Sequence, residues 1–446
     1  MKHEFDNTAL GYECRSIIQE PHPDRYNYTA IFHVAGQEIP TIKVMNIDFN
    51  ADFRTMYAED ILLECAIGQG TLAHVLAPNK EDIKVELTQI SSKDKSRATM
   101  WFKGILMGVT NTKLKNPDPQ NIEHESGDLG SMARVKMQLR EQALEAIDME
   151  TVGGNYVSNT PWKLLRTCIS DACSKIGGSD DEAAIGFTIQ SPDNNNPRSQ
   201  IVIKHGTPLI ELPDILQFDE GGIYNAGLGA FIRRGMWYVW SLYNTTDVYH
   251  CKRTLTLLMA PKERYIGVER TYRNTDSDLT VVVTGDRNHV DLRETSALSA
   301  GNAVRYLDST KTIEDFVKID GNKAIAHRVE NTSEFVGFSR KDGLNKAVTE
   351  VTTDNIFAET SKLASRDGSY LVVSWQNSSP ELLRPDMNVR VKIDNMGVTE
   401  EYRAKIMQIH SYIFAAEQGL TSKQHLTETS ITLFVESDFT NVSEKI

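Results

Sequence analysis

Hydrophobic and polar positions alternate with a period of two in two stretches some three hundred positions apart. Phe102-Lys103-Gly104-Ile105-Leu106-Met107-Gly108-Val109 and Tyr402-Arg403-Ala404-Lys405-Ile406-Met407-Gln408-Ile409 read as like strands. Each follows a strictly alternating strand, Ile83-Lys84-Val85-Glu86-Leu87 and Val389-Arg390-Val391-Lys392-Ile393, with charged residues on the outward face. The likeness therefore covers two strands and the turn between them. Only Met107 and Met407 are identical in the long strand, so an internal duplication and a chance likeness of two amphipathic strands both fit.

Around these stretches the pattern predicts a β-rich chain of several units. Residues 28–110 alternate short β-type runs (Ala30-Ile31-Phe32, Ile42-Lys43-Val44, Ile61 through Cys65) with polar turns such as Pro78-Asn79-Lys80, the signature of an antiparallel barrel or sandwich. Residues 114–130 have no hydrophobic periodicity and read as a linker. Residues 132–147 are rich in helix formers, with Val135, Leu139 and Leu144 among charges, and predict a surface helix. A second helix is punctuated by Thr160 as cap, Pro161 at its first position and Gly177-Gly178 at its end. It turns Trp162, Leu165, Cys168, Ile169, Ala172 and Ile176 to one face. Thr207-Pro208 repeats the cap, but Pro213 permits only a short or broken helix there. Residues 236–243 form the most aromatic strand and must be buried or face a partner, and a helix is expected over 354–365. The expected organisation is α+β, mainly β. A first barrel occupies 1–113, a linker 114–130, a mixed α/β middle domain 131–250, a second barrel 251–285 with 366–440, and an inserted peripheral domain 286–365.

Composition narrows the function. A chain of 446 residues has room for roughly three domains at ~150 residues each. No window approaches the ~18 apolar residues of a membrane span, and the start, Met1-Lys2-His3-Glu4, lacks a basic and then apolar leader. A soluble protein made in a cytoplasm is expected. Cys14, Cys65, Cys168, Cys173 and Cys251 are scattered without a CxxC spacing, so neither a zinc site nor a disulfide framework is expected. The net charge of -13 argues against a general nucleic-acid binder. It fits either plain solubility or a channel through which DNA slides without sticking.

Chemical motifs are few. Asp193-Asn194-Asn195-Asn196 starts like a calcium loop, but Arg198 and Lys204 stand where Gly and a carboxylate are needed. Asn288-His289-Val290-Asp291 has no nucleophile or third ligand nearby. Gly68-Gln69-Gly70 resembles the start of a dinucleotide loop, yet no capped helix is signalled before Pro78, so a β-turn is expected. The Asn-x-Ser/Thr triplets at Asn27, Asn244, Asn331, Asn377 and Asn441 are accidental without a secretory leader. Binding or assembly is favoured over catalysis, with no cofactor or metal expected. Two alternatives stay open: a receptor- or carbohydrate-binding protein with Trp237, Tyr238 and Trp240 as stacking platform, and a peptidoglycan hydrolase, which would require a cleft with paired carboxylates for which Asp219 and Glu220 are the candidates.

The closing segment, Trp375, then Leu383-Arg384-Pro385-Asp386-Met387-Asn388-Val389-Arg390-Val391, then 402–412 and 427–436, resembles the last barrel of baseplate hub proteins from contractile-tailed bacteriophages, which type VI secretion spike proteins share. Asp386 stands where that family usually has Gly, which puts the turn type in question. Asn159-Thr160-Pro161-Trp162 and the aromatic strand 237–243 look like the hub's middle domain, and 28–110 like its first barrel. The resemblance implies a homotrimer with two tail-tube-like barrels per subunit. Such a trimer forms a pseudo-hexameric ring between the tail tube, or its initiator proteins, and a central spike. It also implies baseplate wedge proteins as neighbours, a channel that DNA crosses without specific binding, and a place in the virion after synthesis in the host bacterial cytoplasm. Because only ten residues follow Glu436, the spike is expected to be a separate polypeptide. Glu64, Glu86 and Asp394 are the expected lumen-facing carboxylates.

Overall fold

The computed structural model describes residues 7–21, 25–107, 132–141, 143–176, 186–245, 253–264, 268–285, 290–291, 317–320, 323–326, 357, 361, 364, 368–395, 397–416 and 425–436. The expected linker at 114–130, most of the expected insert at 286–365, Cys251 and His289 lie outside these residues.

After helix α1 (Ala9–Ile18) come strands β1 (Tyr26–Val34), β2 (Gln37–Pro40), β3 (Lys43–Asp52) and β4 (Glu59–Gly68). A helical stretch follows, α2 (Gln69–Thr71) continued by a π turn (Leu72–Leu76) and a 3-10 turn (Ala77–Asn79), then β5 (Ile83–Ser91), β6 (Arg97–Met107) and β7 (Met132–Glu141). These strands pair antiparallel in the order β3-β4-β7-β6-β5-β1-β2. Their inward positions, among them Phe32, Leu63, Val85, Phe102 and Met137, form one core.

The middle of the chain adds α3 (Ala143–Asp148), β8 (Thr151–Asn159), α4 (Pro161–Ile176), β9 (Gly186–Ile189), β10 (Arg198–Pro208), α5 (Leu212–Phe218), β11 (Leu228–Arg233) and β12 (Met236–Ser241). Strand β12 pairs antiparallel with β11 and parallel with β9, while β8 and β10 form a separate ribbon. The Thr160 hydroxyl caps α4 by accepting from the Lys163 N–H at 3.2 Å, as the sequence predicts.

The rest of the described chain contains β13 (Thr254–Met259), β14 (Tyr272–Asn274), β15 (Asp278–Val283), β16 (Val290–Asp291), β17 (Val317–Asp320), β18 (Lys323–Ala326), β19 (Gly368–Gln376), β20 (Asn388–Asn395), β21 (Val398–Ala415) and β22 (His425–Glu436). The path β14-β15-β13-β20-β21 continues through β22 to β19, over a second core that includes Leu257, Val281, Trp375, Val391 and Leu433. Strand β21 also pairs with β3, Gln408 opposite Asp52 through Phe414 opposite Asn46, so the two halves share one continuous sheet.

The fold is mainly β, and several particulars differ from expectation. Residues 132–141 are strand β7, not helix: Ala133, Val135, Met137 and Leu139 alternate inward, and pairing with β4 and β6 on both sides overrides the helix-forming composition. The expected β-turn at Gly68-Gln69-Gly70 is instead the helical stretch 69–79. The second half is not purely antiparallel, since β13 runs parallel to both β15 and β20, as the long crossover chains between them allow. Helix α1 does not join the first half. Leu10, Cys14 and Ile17 pack on Leu258, Ala260 and Val282 of the second, and the Glu13 carboxylate meets Lys392 at 3.2 Å.

Among the described residues neither half closes through a continuous ladder. In the first, His425 of β22 spans the gap between β1 and β3. Its Nδ1 accepts from the Tyr28 N–H at 3.4 Å, and its Nε2 lies 3.0 Å from the Val44 carbonyl. In the second, a single bridge between Thr284 and Ser374 links the end of β15 to β19.

Candidate functional site

The seam β3–β21 positions the most distinctive surface. On its inner face Ile47 lies opposite Ile413 in the first core, and four residues along each strand Ala51 lies opposite Ile409 in the second. Phe49 between them packs against both cores. Strand alternation therefore turns Asn46, Asp48, Asn50, Gln408, His410 and Tyr412 to the opposite face.

That face is turned to solvent across several strands and mixes polar groups with the exposed side chains of Leu62, Ile105 and Tyr412. Strand register places Tyr412, Asp48, Leu62, Gln138 and Ile105 in one row over β21, β3, β4, β7 and β6. A shallow groove of about 240 Å³ is lined by Asp48, Asn50, Asp60, Leu62, Gln408 and His410. His410 Nε2 lies 2.7 Å from Asp48, Gln408 donates to Asn50 at 2.8 Å, and Gln138 donates to Asp60 at 2.9 Å. Two of these contacts cross the seam, so polar side chains as well as the ladder tie the halves together.

The three expected carboxylates do not come together. Glu64 is on this face, accepting from the Asn46 amide at 3.0 Å with Arg134 at 3.9 Å. Glu86 is on β5, three strands beyond β4 in the sheet order, and meets His33 at 3.1 Å. Asp394 stands opposite Thr399 near the turn of the β20–β21 hairpin. The groove residues Asp48 and Asp60 were missed because sequence alone does not reveal that β3 and β21, far apart in the chain, are neighbours.

The middle unit docks beside this sheet through the β11–β12 hairpin. Its alternation sends Trp237, Val239 and Ile232 into the unit's own core and Phe231, Tyr238 and Trp240 toward the second core, where Phe231 stacks on Phe53 at 4.9 Å. Trp237 and Trp240 are thus buried and offer no stacking platform. At the hairpin tip Arg234 and Gly235 both take positive φ, which suits a tight two-residue turn. The Glu141 carboxylate accepts from both their N–H groups, and Arg233 pairs with Glu59 at 2.6 Å with both side chains buried. Burial, reinforced by neighbouring Glu59, pushes the Glu141 carboxyl up to about 7. At the hairpin's other end the buried Lys405 ammonium donates to the Ser241 carbonyl at 2.7 Å and lies 4.7 Å from the Trp240 ring centroid. Burial alone pushes Lys405 down to about 7. Asp219 and Glu220 sit at the C-terminal turn of α5, their N–H groups bonded to Ile215.

Among the described residues no group of three or more His, Cys, Asp or Glu side chains is placed to hold a metal ion. Cys14 and Cys65 are buried free thiols, and burial raises both to about 12. No described helix is long and apolar enough to cross a membrane.

No family model and no curated protein sequence matches the chain. Solved structures similar to it include a tail protein from Neisseria meningitidis MC58, at 12% identity over 92% of this chain and 96% of that one, TM-score 0.42. An Escherichia coli type VI secretion component, described as structurally similar to T4 bacteriophage tail proteins, is 10% identical over 91% of this chain and 77% of that one, TM-score 0.43. A 43 kDa tail protein of prophage MuSo2 from Shewanella oneidensis is 11% identical over 90% and 98%, TM-score 0.39.

Proposed function

We propose that this chain is a structural baseplate hub of a contractile tail, three copies of which form a pseudo-sixfold ring joining the tail tube to the central spike. The observation that carries the reading is the repeated register of its two hairpins. In β5–β6, Ile83 lies opposite Gly104 and Val85 opposite Phe102; in β20–β21, Val389 lies opposite Ala404 and Val391 opposite Tyr402. These are the positions that the sequence likeness equates, so the likeness extends to strand pairing. Two sister units in one chain give a trimer six like elements.

The seam supports the same reading. Each sister unit is a curled sheet whose gap is spanned by His425 or by the Thr284–Ser374 bridge, and the two become one wall at β3–β21. The exposed face of that wall, with Asp48, Asp60 and Glu64, lines the channel in this reading. Glu86 and Asp394 are further proposed lumenal carboxylates. A carboxylate-bearing wall holds DNA weakly, because phosphate affinity depends on released counterions and rises with Lys and Arg contacts. Tube or tube-initiator proteins, spike and baseplate wedge proteins are the proposed partners, and no catalytic step is assigned.

Electron microscopy and sedimentation of the purified chain mixed with its spike partner test the reading. A threefold ring with a central hole is expected. Only a one-to-one complex, with no threefold species, overturns it.

A further inference from the structure

The β11–β12 hairpin carries the joint between the middle unit and the sheet, and its polar groups are poorly matched. Among the described residues one backbone hydrogen bond crosses this joint, from the Ile232 N–H to the Met56 carbonyl at 2.9 Å, beside the Tyr57–Ile232 bridge. Three buried atoms of the hairpin, Arg233 Nη2, Trp237 Nε1 and Trp240 Nε1, have no hydrogen-bond partner among the described residues. Buried donors are ordinarily satisfied, so three orphans on one hairpin leave it short of a settled fit.

Charges at both ends add to the mismatch. At the base, the buried Lys405 ammonium meets the Ser241 carbonyl and the Trp240 ring, neither of them an anion. At the tip, Arg233 and Arg234 both reach Glu59, at 2.6 and 3.5 Å, while Glu141 is held by backbone N–H groups beside that second carboxylate. Glu141 and Lys405 each titrate at about 7, so at neutral pH both spend half their time in a charged form that burial resists. The attraction across the joint is apolar: Phe231 stacks on Phe53 at 4.9 Å, and Tyr238 and Trp240 pack on the second core. A remaining polar link, Asp148 with Tyr57 and Arg140, is partly exposed, so water replaces it at little loss. The middle unit has its own core, including Leu165, Ile201 and Trp237, and keeps that packing when the joint opens.

We infer that the β11–β12 hairpin is a releasable clasp, from which the middle unit comes away from the sheet as a folded body and uncovers Phe231, Tyr238 and Trp240. Aromatic burial keeps the unit docked, and the mismatched polar groups keep the margin small. The two tryptophans of β12 divide the consequence between them, since Trp240 belongs to the second core and Trp237 to the unit's own. Release exposes Trp240 and leaves Trp237 covered. Unfolding exposes both.

The test is hydrogen exchange of the full chain at neutral pH, read by NMR at the indole N–H groups of Trp240 and Trp237 and at the amides of Ile232, Arg234, Gly235 and Leu257. The Trp240 indole and the Ile232 amide should share one protection factor, about tenfold or more below that of the Trp237 indole and the Leu257 amide. Equal protection of the two indoles overturns the inference, because the joint then opens only as the chain unfolds. Exchange hastened at Arg234 and Gly235 alone also overturns it, since that is fraying of the tip. The K405M/E141Q variant removes both resisted charges, and because a pKa displaced by one is a factor of ten, protection of Trp240 and Ile232 should rise about tenfold or more. Unchanged protection there overturns the clasp as drawn. Should the variant fail to fold, the comparison of the two indoles in the wild-type chain still decides.

Discussion

The Lys405 ammonium sits 4.7 Å from the centroid of the Trp240 ring, a cation held between the second half of the sheet and the strand that docks the middle unit. It has a backbone carbonyl, Ser241, as acceptor. Its pKa falls from 10.5 to about 7 because burial penalises the charged form. Across this window the unfolded chain keeps the proton that the folded chain has released, so stability rises with pH from about 7 to 10.5 and is lowest below it. Lys405→Met should flatten that rise and stabilise the protein by about 1–2 kcal/mol at pH 6. Thermal unfolding of both proteins between pH 6 and pH 10 checks it, and parallel curves would refute the assignment.

Glu141 works in the opposite direction and in a different window. Its folded pKa, about 7, lies above the ordinary 4.5, so its contribution is fully present below 4.5 and is lost as pH rises through about 7. Glu141→Gln keeps one carbonyl acceptor for the Arg234 and Gly235 N–H groups and carries no charge. It should gain on the native protein by about 2 kcal/mol between pH 5 and pH 8. Urea unfolding at the two pH values measures the difference, and an unchanged difference excludes Glu141 as the titrating group.

Arg233 and Glu59 form the buried ion pair at the tip of the same hairpin. Arg233→Ala leaves the buried Glu59 carboxylate with only the more distant Arg234 guanidinium, at 3.5 Å, so a loss of about 3 kcal/mol is expected. Arg233→Met with Glu59→Gln removes both charges and should recover most of it. A double variant as unstable as the single one would show that shape, not the stranded charge, sets the cost.

Much of this was legible in the sequence, and the rest was not for identifiable reasons. Alternation placed strands β1, β3, β4, β5, β6, β20 and β21, and the Thr160-Pro161 punctuation placed α4, because those signals are local, while the family resemblance alone pointed to β22. Strand β7 was misread since its charged positions favour helix and only its two flanking strands decide otherwise. Helix α1 went unseen, although Thr8 caps it and Leu10, Cys14 and Ile17 recur at helical spacing. The exposed face was hidden most deeply: Asp48 and His410 are neighbours only because β3 pairs with β21.

That pairing, with the His425 clamp beside it, supports a final prediction. His425 offers its Nδ1 to the Tyr28 N–H, so the ring is neutral there, with its remaining proton on Nε2 directed to the Val44 carbonyl. One imidazole thus satisfies a buried donor on β1 and a buried acceptor on β3, at the edge where the first unit's ladder is open. His425→Phe fills the volume but leaves both backbone groups unmatched, at a cost of about 1–3 kcal/mol each. His425→Gln restores a donor and an acceptor and should lose less. Hydrogen exchange reads the effect locally: the Tyr28 amide should exchange faster in the Phe variant, while the amides of β13 and β15 in the second unit keep their protection. Equal acceleration in both units would mean that His425 stabilises the whole sheet and does not close the first unit specifically.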